Sequence, residues 1–125
     1  MPALNVQADL RARLEKALGV SAYVNVPSGT AGKRPKTFLV VRRNGGHRLN
    51  RLQDRPGVDV YSYAPTEAEA AALAAKVSDF MIALPRTAFL DGYELCDEET
   101  LCSDPDLDGL GPRWYASYTL TTHKR

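Results

Sequence analysis

The sequence predicts an α+β fold, a mainly antiparallel sheet covered by a long helix, about Thr66–Leu84, and by a short N-terminal helix, in the order αβββαββ. Three observations predict it. The stretch Ala64–Pro85, APTEAEAAALAAKVSDFMIALP, has helical period and marked ends. The runs Thr37–Arg43, Val58–Tyr63 and Arg113–Thr122 are rich in β-branched and aromatic residues of the kind that fit a pleated surface. The strand runs also follow one another directly instead of alternating with helices, which describes a sheet with helices on it rather than a wound parallel sheet.

Taken in order, Asn5 can cap a first helix, Val6–Leu18, whose Val6, Leu10, Leu14, Ala17 and Leu18 share a face and whose Gly19 is a natural stop. Ala22–Val26 alternates as a brief strand, and Pro27–Lys36, rich in Gly, Pro, Ser and Lys, reads as an exposed loop. Thr37–Arg43, TFLVVRR, is the strongest strand signal; its unbroken apolar centre implies cover on both faces. Asn44–Gly45–Gly46 offers the positive φ angles of a tight turn. His47–Gln53 is a weaker pattern, a strand or a mobile arm, and Asp54–Gly57 turns the chain again. In Val58–Tyr63 the residues Val58, Val60 and Ser62 fall on one face and Asp59, Tyr61 and Tyr63 on the other.

The long helix follows. Thr66 can accept the N–H of Glu69 while Glu69 reaches back, a capping box, and Glu67 and Glu69 suit the positive end of the helix dipole. Ala70, Leu73, Val77, Phe80 or Met81, and Leu84 form its apolar stripe, and the alanines make a thin wall for a sheet to lie against. Pro85 is expected to end it, because the residue before proline resists the α region. Thr87–Leu95 then reads as a strand, Cys96–Pro112 as an acidic loop, and Arg113–Thr122, RWYASYTLTT, as the closing alternating strand.

A chain of 125 residues with 44% hydrophobic and 25% charged composition is one soluble domain by length, residues 1–125. Burial of about two-thirds of the unfolded surface is usual at this size, so neither a disulfide nor a metal is required. Cys96 and Cys102 lack the spacing of a zinc knuckle or redox motif and read as reduced thiols. The N-terminus has no signal-peptide run and no window is long enough to span a bilayer, so a cytoplasmic protein is expected.

Motifs for chemistry fail on inspection. DPDLDG at Asp104–Gly109 opens like a calcium loop, but the bidentate glutamate of the twelfth position is replaced by Tyr115. GTAGKRP at Gly29–Pro35 resembles a phosphate loop, yet Pro27 stands where the first glycine belongs and Arg34 where the hydroxyl residue belongs. His47 and His123 sit in no nucleophile–base constellation. No enzyme, cofactor or metal site is expected.

Charge is the informative feature. Net charge is only +1, but residues 33–55 hold Lys33, Arg34, Lys36, Arg42, Arg43, Arg48, Arg51 and Arg55 against Asp54 alone. Residues 91–108 hold Asp91, Glu94, Asp97, Glu98, Glu99, Asp104, Asp106 and Asp108 with no base. The basic segment could follow a phosphate backbone, although it lacks the interleaved aromatics that stack bases. Alternatively each cluster is a solvated surface, or both serve one purpose: in a head-to-tail assembly one surface of each subunit meets a different surface of the next, and opposite charge fixes the register. The candidate contacts are Arg43, His47, Arg48, Arg51, Arg55, Asp97, Glu98, Glu99, Asp104, Asp106 and Asp108.

The first helix ending LEKALGV, the proline-rich approach to FLVVRRNGG, the strand VDVYSYAPT running into EAEAAALAAKVSDFMIALP, and the closing PRWYASYTLTT together resemble the tail terminator, or tail-completion, proteins of long-tailed bacteriophages, especially actinobacterial phages. The likeness covers nearly the whole chain and is one of order, length and flavour. It implies a homo-oligomeric ring, hexameric in that family, that caps the tail tube, ends its polymerisation and meets a head-completion or connector protein. It implies no enzyme, no cofactor and no membrane partner, with DNA passing through the lumen and with assembly in the host cytoplasm into the head-proximal end of the virion tail. The basic hairpin Arg43–Arg55 is then expected to project from the sheet. A small nucleic-acid-binding module and a related head–tail connector (neck) protein are the alternatives.

Overall fold

The computed structural model describes residues 5–27, 35–48, 53–104 and 111–123, the side chains of residues 46–48 and 99 excepted. Helix α1, Val6–Leu18, starts where the Asn5 side chain accepts the Ala8 N–H at 3.2 Å and stops at Gly19, whose φ of 70° lets its N–H return to the Glu15 carbonyl. Strands β1 (Ser21–Tyr23), β2 (Phe38–Arg48) and β3 (Gln53–Tyr63) come next, then helix α2 (Glu67–Thr87), a 3-10 turn (Phe89–Asp91), β4 (Tyr93–Ser103) and β5 (Arg113–His123). The described strands form one sheet in the order β1-β2-β3-β5-β4.

The class is the α+β expected, but the sheet is mixed. β2–β3, β3–β5 and β5–β4 are antiparallel, whereas β1 lies parallel to β2 with Ser21 opposite Phe38. Residues 24–37 supply the dozen or so residues that a parallel connection needs to return to the starting end. The strand expected over Ala22–Val26 is thus only Ser21–Tyr23.

Both helices cover one face. Val6, Leu10 and Leu14 of α1 and Leu73, Val77, Met81 and Leu84 of α2 pack with Leu39, Val41, Val58, Val60, Ala116, Tyr118 and Leu120 of the sheet, all buried. Of the two candidates for the stripe, Met81 takes the core position and Phe80 its margin. The other face of β2 is also covered at one end. There Phe38, Val40 and Tyr63 are buried beside Tyr23 and Tyr61, with Phe38 stacked on Tyr63 at 4.5 Å, as the unbroken apolar run at the start of β2 requires.

Five local expectations are corrected. Pro85 lies inside α2, and the helix runs on to Thr87 because Leu84 is fully buried and its carbonyl accepts the Ala88 N–H at 2.8 Å. Tertiary packing there outweighs the single N–H that proline lacks. The region from Thr87 to Gly92 is therefore helix and 3-10 turn, and strand begins only at Tyr93. Asn44–Gly46 makes no turn. Gly45, at φ 125°, absorbs a register shift in the middle of β2, so its freedom serves a bulge. Asp54–Gly57 does not turn either; it belongs to β3, whose ladder to β5 passes from Asp54–Thr122 to Gly57–Thr119, stepping over Arg55 and Pro56. Pro56 has no N–H to give there. Finally, the acidic stretch is no loop from Cys96, since β4 continues to Ser103: carboxylates are tolerated on a strand at the sheet's edge, where Asp97 is exposed and Glu98 finds a hydroxyl on α2. The segment 105–110 of that expected loop lies outside the described residues, as does the 28–34 part of the loop expected at Pro27–Lys36.

Candidate assembly surface

The sheet order separates the two charge clusters. The described basic residues Arg42 and Arg43 belong to β2, on which β1 covers only Phe38–Val40, and the acids Glu94, Asp97, Glu98 and Glu99 belong to β4, the opposite edge. Three inter-strand spacings, about 14 Å, lie between β2 and β4. That exceeds the screening length of about 8 Å at physiological salt, so the clusters do not neutralise one another inside a subunit. Arg42 and Asp97, both exposed, can each attract a charge from outside.

Individually the candidates have different employment. Arg43 is exposed on β2: its Nη2 reaches Asp54 at 3.1 Å, its Nε donates to the Gly45 carbonyl at 3.0 Å, and its backbone N–H donates to Gln7 Oε1 of α1 at 2.8 Å. His47 and Arg48 lie on β2 opposite Arg55 and Asp54. Arg55 is exposed on β3. The expected projection of the Arg43–Arg55 hairpin does not occur over the described part, because β3 is paired to β5 from its first residue, Gln53, opposite His123. Arg51 lies outside the described residues.

Among the acids, Asp97 is exposed and sits across from Thr119. Glu98 turns toward α2 and accepts the Ser78 hydroxyl at 2.6 Å. Glu99 belongs to β4. Asp104 is engaged within the subunit: Arg113 donates from Nη2 to its half-exposed carboxylate and from Nε to its carbonyl, both at 2.9 Å, closing the base of the β4–β5 connection. Asp106 and Asp108 lie outside the described residues. Two residues counted in the charge clusters but not among the candidate contacts join these edges. Arg42 is exposed on β2 opposite Asp59, and Glu94 of β4 accepts Gln53 at 2.8 Å and lies 3.3 Å from His123 Nδ1. The alternation of Arg42 with buried Val41 was legible; the reach of Glu94 across to β3 required the sheet order.

β4 also carries Cys96, whose thiol burial, with Asp97 and Glu98 beside it, pushes up to about 12, and the exposed Cys102. A shallow groove of roughly 390 Å3 between α1 and α2 is lined by Arg13, Lys16, Ala17, Phe80, Leu84 and Thr87: two cations, one hydroxyl and otherwise apolar groups. Among the described residues no cluster of metal-ligating side chains occurs, and no described helix is long and apolar enough to cross a membrane. No family model and no curated protein matches the chain.

Proposed function

We propose that this chain is a structural subunit that assembles head to tail with copies of itself. Within that class we read it as a tail terminator of a long-tailed phage, forming a ring that caps the tail tube, ends its growth and offers a face to the head side of the joint. The observation that carries the assembly reading is the segregation of opposite charge to the two ends of one sheet. A heterologous contact between unlike patches closes into a ring when the rotation per subunit permits, and complementary charge sets its register. The narrower reading as a terminator rests on the likeness in order and length to that family.

The test adds the purified protein to polymerising tail-tube subunits and images the tubes by negative stain. Tubes arrested at reduced length with a ring at one end are the expected result. Tubes that elongate unchanged, with no ring bound, overturn the terminator reading. Retardation of DNA with a steep salt dependence and no self-association would instead favour the nucleic-acid module. Arg43 argues against that, since Asp54 already answers its charge.

A further inference from the structure

The two edges of the sheet are unlike in a way that selects their partner. Among the described residues β4 is hydrogen-bonded on one side only, to β5, along its whole length. On the other edge, β1 covers β2 from Phe38 to Val40, and β2 then continues to Arg48 with β3 as its described strand neighbour. One outward group there, the Arg43 N–H, is met by the Gln7 side chain, a cap that another carbonyl can replace. A strand edge of this length is a template for a further strand. Pairing two β4 edges would bring exposed Asp97 of one copy toward that of the other, which is unfavourable. The β2 edge offers exposed Arg42 instead.

We propose that the β4 edge of one copy docks on the β2 edge of the next beyond Val40, extending the sheet from subunit to subunit with exposed Asp97 facing exposed Arg42. This rests on the assembly reading above and names its contact. Strand direction agrees. β5 runs parallel to β2 and β4 antiparallel to it within one copy, so a copy carried round an axis along the strands presents β4 antiparallel to the β2 it meets. That is the slightly stronger of the two ladders. The contact joins two different surfaces, so it propagates rather than stopping at a dimer. The acids and the two register shifts in β4, at Tyr93/Leu95 and Glu98/Thr100, are the usual guards of an edge strand; here they reject a like edge while admitting an unlike one.

The test uses the full chain in sedimentation velocity over a concentration series, with a thermal melt of each variant to show that it folds. Asp97→Lys, at an exposed position, weakens association at least about tenfold, Arg42→Glu does the same, and the two together restore it to within about threefold. Should Arg42→Glu fail to fold beside Asp59, Asp97→Lys and amide exchange decide alone. In the wild type, amides of Asp97–Cys102 gain at least about tenfold protection as the oligomer forms, which a remote effect of charge would not produce. An oligomer whose affinity ignores Asp97→Lys and whose β4 amides exchange alike at low and high concentration overturns the edge contact and leaves the assembly reading standing. Tighter association of Asp97→Lys would mean that two β4 edges meet, and also overturns it. A wild type that stays monomeric at every concentration overturns the assembly reading and the contact with it.

Discussion

Asn44 and Gly57 show how one missing side chain holds the bulge in β2. The Asn44 amide lies over the Cα of Gly57, where a Cβ would run into its oxygen, and from there its Nδ2 donates to Asp59 at 2.7 Å, the same carboxylate oxygen that accepts the Tyr115 hydroxyl at 2.7 Å. Gly57→Ala must displace Asn44 and break its bond, costing about 1–2 kcal/mol. Made in an Asn44→Ala background it should cost a few tenths, a non-additivity read from urea unfolding of the four species. The two thiols are a second residue-scale test. With burial pushing its pKa up to about 12, Cys96 stays almost wholly thiol at pH 8, where an ordinary thiol is partly thiolate. Iodoacetamide should therefore label exposed Cys102 at least about a hundredfold faster, with the gap closing as pH rises or on unfolding; equal rates in the folded protein would refute it. The same shift makes folding lose stability as pH climbs from about 9, the thiol's ordinary value, toward 12, because the unfolded chain releases that proton first.

At the scale of elements, α2 is set by its ends. Thr66 Oγ1 accepts the Glu69 N–H at 3.2 Å, the donor half of the capping box read from the sequence, and Thr66→Ala should cost about 1 kcal/mol in thermal unfolding. At the other end Pro85 sits in the last turns without giving Met81 its bond. Pro85→Ala restores that N–H and loses some rigidity in the unfolded chain, a net gain of about 1 kcal/mol. A loss of stability on that change would mean that the ring's packing matters more than the bond. β4 is the contrasting element, because its acids and exposed Leu95 make little sense alone and acquire sense from the edge they occupy.

Across the whole molecule, α1 is fastened to the far end of the sheet by one cluster. Arg13 Nε meets Asp9 at 2.7 Å, its Nη2 meets Asp91 at 2.8 Å, and the Tyr93 hydroxyl donates to the same Asp9 oxygen at 2.5 Å. Burial pulls the Arg13 pKa down, but the bonds to Asp91 and Asp9 outweigh it and hold the guanidinium above its ordinary value, so the cation is fixed at any working pH. Arg13→Gln should lower stability by about 1–2 kcal/mol, discounted for the half-exposed Asp91. Amide exchange should accelerate in α1 and at Asp91–Tyr93 together; acceleration in α1 alone would mean that the cluster does not couple them.

The sequence by itself determined what depends on neighbours along the chain: α1 from Asn5 to Gly19, the cap and stripe of α2, the alternation of β3 and β5, and the two blocks of charge. Periodicity and capping are local, so they are written locally. Only the tertiary structure decided whether Asn44–Gly46 and Asp54–Gly57 turn or pair, whether Pro85 stops a helix, and whether the acidic stretch is loop or strand. Each of those choices is settled by a hydrogen-bond or packing partner distant in sequence: β3 for Gly45, β5 for Asp54, the sheet for Leu84, and β5 for the acids of β4. The candidate surface divides the same way. Its residue types were legible because charge is a property of composition, while Asp104's engagement by Arg113 and the placing of acid and base on opposite edges follow from sheet order, which no single stretch contains.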